Sequence, residues 1–436
     1  MSDPGLVAGV ELPNETVINW QAPPLKFGLG ATDEIGEQLL GMGLAKVLLV
    51  SDGHLEELGL PARVASTIES AGVEVELFAG SNIEPTDRSI EQALAELDGQ
   101  DFDGYVGVGG GSSLDTAKAI NLLKTYPGDL MTYVNRPVGQ GTPIPGPLKP
   151  LVAVPTTAGT GSESTPVCVV DLLDLKVKAG ISGNQLRPCL AIVDPLNTVG
   201  MSPEVTAAGG YDVMTHALES YTSRPYDRRP RYPDRLHRPA YIGANPISDV
   251  WCERALELVG RFLRRAVLNG DDLEARVGMA MAATFAGMGF GNAGVHVPHA
   301  VAYPIAGLVR AYVPAGYSGV EEPLVPHGQS VIVTAPAAFD FTYPTAPERH
   351  LRAAQLLGAS LTGVTEANGR DLLPATILRI VEETGGPAGV SAFGYEEADV
   401  GALVEGTLKQ ERLLSGCPRE VGQPELERIV RSSLRY

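Results

Sequence analysis

The chain has 436 residues, 52 of them acidic and 33 basic, which leaves a net charge of −19. At ~150 residues per domain, that length supports two or three domains with a substantial core. So acidic a surface repels phosphate backbones and argues against nucleic acid or anionic membrane as partners, and no apolar run reaches the ~18 residues of a membrane span.

The N-terminus carries neither a basic leader nor an apolar core, and its only charges before Lys26 are acidic. Cys168, Cys189, Cys252 and Cys417 form no CxxC pair, so buried free thiols in a reducing, cytoplasmic setting are expected. From there β-branched runs alternate with amphipathic segments. Helices are predicted near 33–43, 60–71, 87–98 and 113–124. Strands are predicted at 46–50, 73–78, 104–108, 151–154 and 191–193. That alternation implies a parallel α/β sheet.

After about residue 200 the pattern turns helical. Helices are predicted at 202–221 and 248–268, the second with Ser248 as cap and Asn269-Gly270 as stop. Its apolar stripe is Leu256, Val259, Phe262 and Leu263. Further helices are predicted at 271–286, 349–361, 372–384 and 424–434. The expected division is a nucleotide-binding α/β domain over 1–200 and a helical domain over 201–436.

Gly109, Gly110, Gly111, Ser112 and Ser113 follow the strand 104–108 and open a helix that runs on through Asp115. Glycines let a backbone approach a pyrophosphate, and the first free N–H groups of a helix bind anions. The run is neither GxGxxG nor a P-loop, and a plain turn capped by serine is the alternative. The segment 155–163 places Thr156, Thr157 and Thr160 at another strand end, where α/β sheets bind ligands. Asp52, beyond the strand 46–50, could accept from a ribose hydroxyl and would favour NAD over NADP.

Asp212 and His216 stand four apart, which puts them on one helix face, ~40° apart. His296, His299 and His327 follow. One carboxylate with three imidazoles would complete a four-ligand site for Fe(II) or zinc. The basic residues are lopsided, 25 Arg against 8 Lys, and six Arg fall between Arg224 and Arg238. Guanidinium forks bind carboxylates bidentately.

Four stretches together resemble the iron-containing (group III) alcohol dehydrogenase family: GGGSSLDTAK at 109–118, PTTAGTGSE at 155–163, GYDVMTHALESY at 210–221, and the span 299–327. The resemblance runs from about Lys26 to the C-terminus. It implies a Rossmann-like α/β domain followed by an all-α domain, the dehydroquinate synthase-like architecture, with the active site in the cleft between. It places metal ligands on Asp212, His216, His299 and His327, iron ahead of zinc by the family's name. It places NAD(H) contacts on Asp52, Gly109, Gly110, Gly111, Ser112, Ser113, Asp115, Thr156, Thr157, Thr160, Lys178 and Leu196.

GNAGVH at 291–296, YPIAGL at 303–308, PLVPHG at 323–328 and GTLKQER at 406–412 are most similar to the family's hydroxyacid–oxoacid transhydrogenase branch. That branch passes a hydride from 4-hydroxybutyrate to 2-oxoglutarate through a bound nicotinamide. Many members carry a histidine where Tyr303 stands, so Tyr303 is the catalytic candidate, though phenol is a poorer base. Both acids are carboxylates, and Arg224, Arg228 and Arg238 are the candidates to hold them. Small hydroxy and oxo acids are the expected partners, in a homo-oligomer. An alcohol dehydrogenase with exchangeable NAD and a non-catalytic metabolite-binding protein are the competing readings.

Overall fold

The computed structural model describes residues 14–175, 177–232, 238–317, 320 and 322–436. Arg235, part of the arginine-rich segment, lies outside the described residues, as do residues 1–13. Eight strands are present among those described: β1 Leu25–Phe27, β2 Lys46–Asp52, β3 Glu74–Ser81, β4 Gly104–Gly109, β5 Leu151–Pro155, β6 Val167–Leu172, β7 Val177–Ser182 and β8 Leu190–Val193. Six form a parallel sheet in the order β1-β8-β5-β4-β2-β3, while β6 and β7 make a separate antiparallel pair.

The sheet is buried on both faces, as parallel sheets are. Val47 and Leu49 pack toward Ile35, Leu39, Val64 and Ile68, whereas Leu48 and Val50 pack toward Ala93, Ala117 and Ile120. Strict alternation along β2 thus feeds two helical layers. From β2 the chain crosses to β3 on one side, and from β4 it crosses to β5 on the other. The carboxyl ends of β2 and β4 therefore flank the point where strand order reverses, the usual ligand crevice of such sheets.

Three differences from the expected elements stand out. β1 and the β6–β7 pair carry too little periodicity to be seen in sequence. The helix Pro246–Leu268 begins two residues earlier than expected, because Asn245 is its cap and accepts from Ile247 N and Ser248 N; Ser248 is buried inside the first turn. The helix predicted to stop at 286 runs over Leu273–Ala293. Its late glycines would ordinarily weaken it, but packing uses them: a Cβ on Gly287 would stand 2.8 Å from Gly161 O. The helix can lie against the 156–162 loop only without that atom.

The second half builds its core around the helix Pro203–Thr222, buried over almost its whole length among Pro246–Leu268 and Leu273–Ala293. Cys168, Cys252 and Cys417 are buried free thiols, but Cys189 is exposed, a correction to the expectation. No helix among the described residues is long and apolar enough to cross a membrane.

Candidate active site

Ser202 caps the helix Pro203–Thr222 by accepting from Val205 N at 3.1 Å, and Pro203 suits its first turn. Asp212, His216 and Glu219 then recur at helical spacing along one buried face. His299 arrives on the helix Val297–Gly307, and His327 opens the short helix His327–Ile332. A Cβ on the next residue, Gly328, would lie 1.8 Å from Ala208 O. His327 reaches Asp212 because residue 328 has no side chain.

Three imidazoles converge on Asp212 Oδ1: His216 Nδ1 and His299 Nε2 at 3.5 Å each, and His327 Nε2 at 3.7 Å. Ligand atoms held at about 2.1 Å by one tetrahedral ion would stand about 3.4 Å apart. Asp212 Oδ1, His216 Nδ1 and His299 Nε2 are buried with no hydrogen-bond partner. Buried polar atoms are rarely left so. Orphaned donors facing one point, all four ligand atoms within 4.8 Å of one another, fit a divalent cation.

Glu219, which sequence reasoning missed, supports the cluster from behind. It is fully buried, accepts from His296 N at 2.8 Å and His299 N at 3.3 Å, and pairs with His299 Nδ1. Its position three residues after His216, on the same helix face, was the available signal. His296 stays outside the four; its Nε2 lies 3.3 Å from Thr222 Oγ1.

Burial pushes the His216 imidazole down to about 3, against the pull of Asp212. Burial also resists charge on His299, but Glu219 and Asp212 outweigh it and push it up to about 9. Burial resists ionisation of Asp212, yet His216 and His327 hold its carboxyl well below the usual range. The Asp212 carboxylate is therefore ionised, and a cation entering the site would take the place of the proton that Glu219 and Asp212 hold on His299.

The expected nucleotide contacts line up along the carboxyl edge of the sheet. Asp52 ends β2, the 109–115 turn follows β4, Thr156, Thr157 and Thr160 follow β5, and Leu196 follows β8. Asp52 caps a short helix through Leu55 N and accepts from Ser113 Oγ at 3.0 Å, which ties the two sides of the crevice. Gly110 is the N-cap of the helix Gly111–Thr125, and no side chain caps it. The Ser112 hydroxyl donates to Ile83 O and that of Ser113 to Asp52, so neither serine caps the turn. A Cβ on Gly111 would stand 2.5 Å from Thr160 Cγ2. An uncapped, closely lined helix start is a fitting cradle for a dinucleotide's phosphates.

Asp115 does something else. Its oxygens accept from Ser162 Oγ at 2.6 Å and Val169 N at 2.9 Å, so it ties the turn to the 155–163 loop. Lys118, fully buried, reinforces the tie by donating to Ser162 O and Val167 O, each at 2.8 Å. Lys178 lies on β7 and is paired with Glu84.

One cavity joins the two halves of this site. Gly111, Ser112 and Thr160 line it on the sheet side, and Asp212, His216, His299, His327 and Tyr303 on the helical side, with Lys178 and Arg412 between. Tyr303 is buried, and burial pushes its phenol up to about 12, so it stays protonated and can donate but not abstract a proton.

The three candidate arginines have other surroundings. Arg224 donates to Cys417 O at 3.3 Å, Arg228 is exposed, and Arg238 pairs with Glu15 at 3.2 Å. None lines this cavity. The helix that carries Asp212 ends at Thr222, and just beyond it Arg224 N donates to Gly416 O. Arg238 instead walls a neighbouring cavity, which shares Tyr241, Val295 and Arg412 with the first.

The family model "Iron-containing alcohol dehydrogenase" matches residues 23–195, and "Fe-containing alcohol dehydrogenase family, C-terminal" matches 240–434. The hydroxyacid-oxoacid transhydrogenase of Bos taurus is 44% identical over 413 residues, 94% of this chain and 88% of its own length. The chain belongs to the iron-containing alcohol dehydrogenase family. It is an oxidoreductase of small molecules, like that family. The probable hydroxyacid-oxoacid transhydrogenase of Dictyostelium discoideum is 41% identical, over 94% of this chain and 78% of its own. The solved structure of a 1,3-propanediol oxidoreductase has a TM-score of 0.83 and 32% identity, and the match covers 96% of this chain and 100% of that one. That structure shares this chain's fold over nearly the whole length. Both transhydrogenases are named mitochondrial. That overturns the cytoplasmic expectation and points to the mitochondrion.

Proposed function

We propose that this protein is a hydroxyacid–oxoacid transhydrogenase, passing a hydride from 4-hydroxybutyrate to 2-oxoglutarate to give succinate semialdehyde and 2-hydroxyglutarate. The observation that carries the reading is 44% identity to enzymes of that name over 94% of the chain. In it, residues 1–200 hold NAD(H) and residues 201–436 hold the metal, iron in preference to zinc. The partners are small hydroxy and oxo acids, and the protein is a homo-oligomer without nucleic acid or membrane partners.

Asp212, His216, His299 and His327 would hold the cation, which supplies Lewis-acid polarisation of the alcohol or keto oxygen. The glycine turn, with Asp52, Thr156, Thr157, Thr160, Lys178 and Leu196, would hold the nicotinamide dinucleotide, which supplies the hydride chemistry. The chain's own work is placement. Glu219 fixes the ring of His299. Asp115 and Lys118 hold the 155–163 loop against the turn. Tyr303, protonated at neutral pH, closes the cavity and offers a hydrogen bond to a substrate oxygen. Phe290 stacks on His216 with centroids 3.8 Å apart and keeps that side dry.

Incubation of purified protein with 4-hydroxybutyrate and 2-oxoglutarate, with no nucleotide added, tests the reading. Formation of 2-hydroxyglutarate is expected. Turnover only on addition of NAD would replace it with a dehydrogenase whose cofactor exchanges.

A further inference from the structure

We propose that Arg412 is the single carboxylate anchor used in both half-reactions; the inference rests on the transhydrogenase reading above. Arg412 sits on the short helix Glu411–Leu414, which packs against the helix bearing His299 and Tyr303. It lines the same cavity as the Asp212 cluster. Its guanidinium carbon lies 4.9 Å from the centroid of the Tyr241 ring. Its Nη1 is buried and has no hydrogen-bond partner.

Other buried or part-buried arginines without an acidic partner are held by protein oxygens, Arg224 by Cys417 O and Arg276 by Gly270 O and Thr206 Oγ1, whereas Arg412 Nη1 has no acceptor. Arg238 finds Glu15, and Lys178, the other cation of this cavity, finds Glu84. Arg412 pairs with no Asp or Glu among the described residues. A half-buried fork with an unused N–H, on a residue that lines the small-acid site, has the chemistry to bind a carboxylate bidentately.

The two substrates then explain why one anchor suffices. In 4-hydroxybutyrate the carbinol carbon and the carboxylate are separated by two methylene groups. In 2-oxoglutarate the keto carbon and the distal carboxylate are separated by the same two. If the reacting oxygen is placed at the Asp212 cluster, the far carboxylate of either acid reaches the same distance, and one fixed cation serves both. The additional carboxylate of 2-oxoglutarate, next to the keto carbon, lies at the other end of the molecule and does not compete for Arg412.

The test compares wild type with Arg412→Met and Arg412→Lys, with metal content and melting temperature as controls for folding. Charge-assisted hydrogen bonds to a carboxylate predict a rise in KM of about tenfold or more for both acids in Arg412→Met, with partial recovery in Arg412→Lys. Equal KM values in wild type and Arg412→Met, or a rise for one acid alone, overturn the shared anchor. Glutarate, an unreactive acid of the same length, is titrated calorimetrically in parallel. If wild type transfers no hydride, the functional reading falls, and glutarate still decides the anchor. Weaker binding to Arg412→Met upholds it, and unchanged binding overturns it.

Discussion

The buried Glu219 carboxylate takes both the backbone N–H and the Nδ1 of His299, and so leaves His299 Nε2 turned toward Asp212 Oδ1 at 3.5 Å. A carboxylate behind a metal-binding imidazole fixes its tautomer and raises its basicity. Glu219→Gln keeps the shape but weakens that hold. Metal affinity is expected to fall by about 10- to 100-fold with the fold retained. Competition against a chelator, read with circular dichroism, checks it; unchanged affinity would refute the role.

Asp212 Oδ1 is the point on which three imidazoles converge, so Asp212→Ala is expected to leave purified protein without a tightly bound divalent ion and without activity. In the wild type, a strong chelator should abolish activity and lower the melting temperature, because the ion binds only the folded site. Fe2+ added back should restore both. Full activity after verified metal removal would contradict the site.

Gly328→Ala probes how His327 is delivered. The added methyl would meet Ala208 O at 1.8 Å, too close for any adjustment of a side chain to relieve, so the backbone must separate. A stability loss of about 1–3 kcal/mol is expected from overpacking, accompanied by a loss of metal affinity. Denaturant unfolding and metal analysis read the two effects separately. A variant of wild-type stability that binds metal normally would show the contact to be unimportant.

Tyr303 carries a pH prediction. Burial pushes its phenol up to about 12, so it is neutral from about pH 6 to about pH 9 in the substrate-free protein. No proton is lost from it in that window, and Tyr303→Phe should leave the shape of the pH–rate profile unchanged. Its rate should fall only by the worth of one hydrogen bond, about tenfold at most. Loss of a limb of the pH profile in Tyr303→Phe would make it the proton acceptor after all.

Arg228 is exposed and outside the cavity, and Arg224 is held by Cys417 O. Arg228→Ala is accordingly expected to leave KM for both acids unchanged within about twofold, since solvated surface charges contribute little. A clear rise in steady-state KM would return the arginine-rich segment to the substrate site.

The sequence by itself determined the local features of this protein. The apolar run of β2, the glycine turn after β4 and the Asp212–His216 spacing each lie within a few neighbouring residues, so each is legible wherever it occurs. The resemblance to iron-containing alcohol dehydrogenases rests on those same short runs. What tertiary structure alone decided is which distant groups face one another. Nothing near Arg412 in the chain tells that it lines the cavity of Asp212, 200 residues earlier, and Arg224, Arg228 and Arg238, much closer to Asp212 in sequence, are not among the residues that line it. Glu219 could be placed on the right face from its spacing, but not recognised as the partner of His299 until two helices were packed. Gly328 and Gly287 look in sequence like weak helix residues, and their meaning is a close approach of two backbones. Facing groups and close approaches are properties of packed elements, fixed by how the helices cross rather than by the residues beside each one.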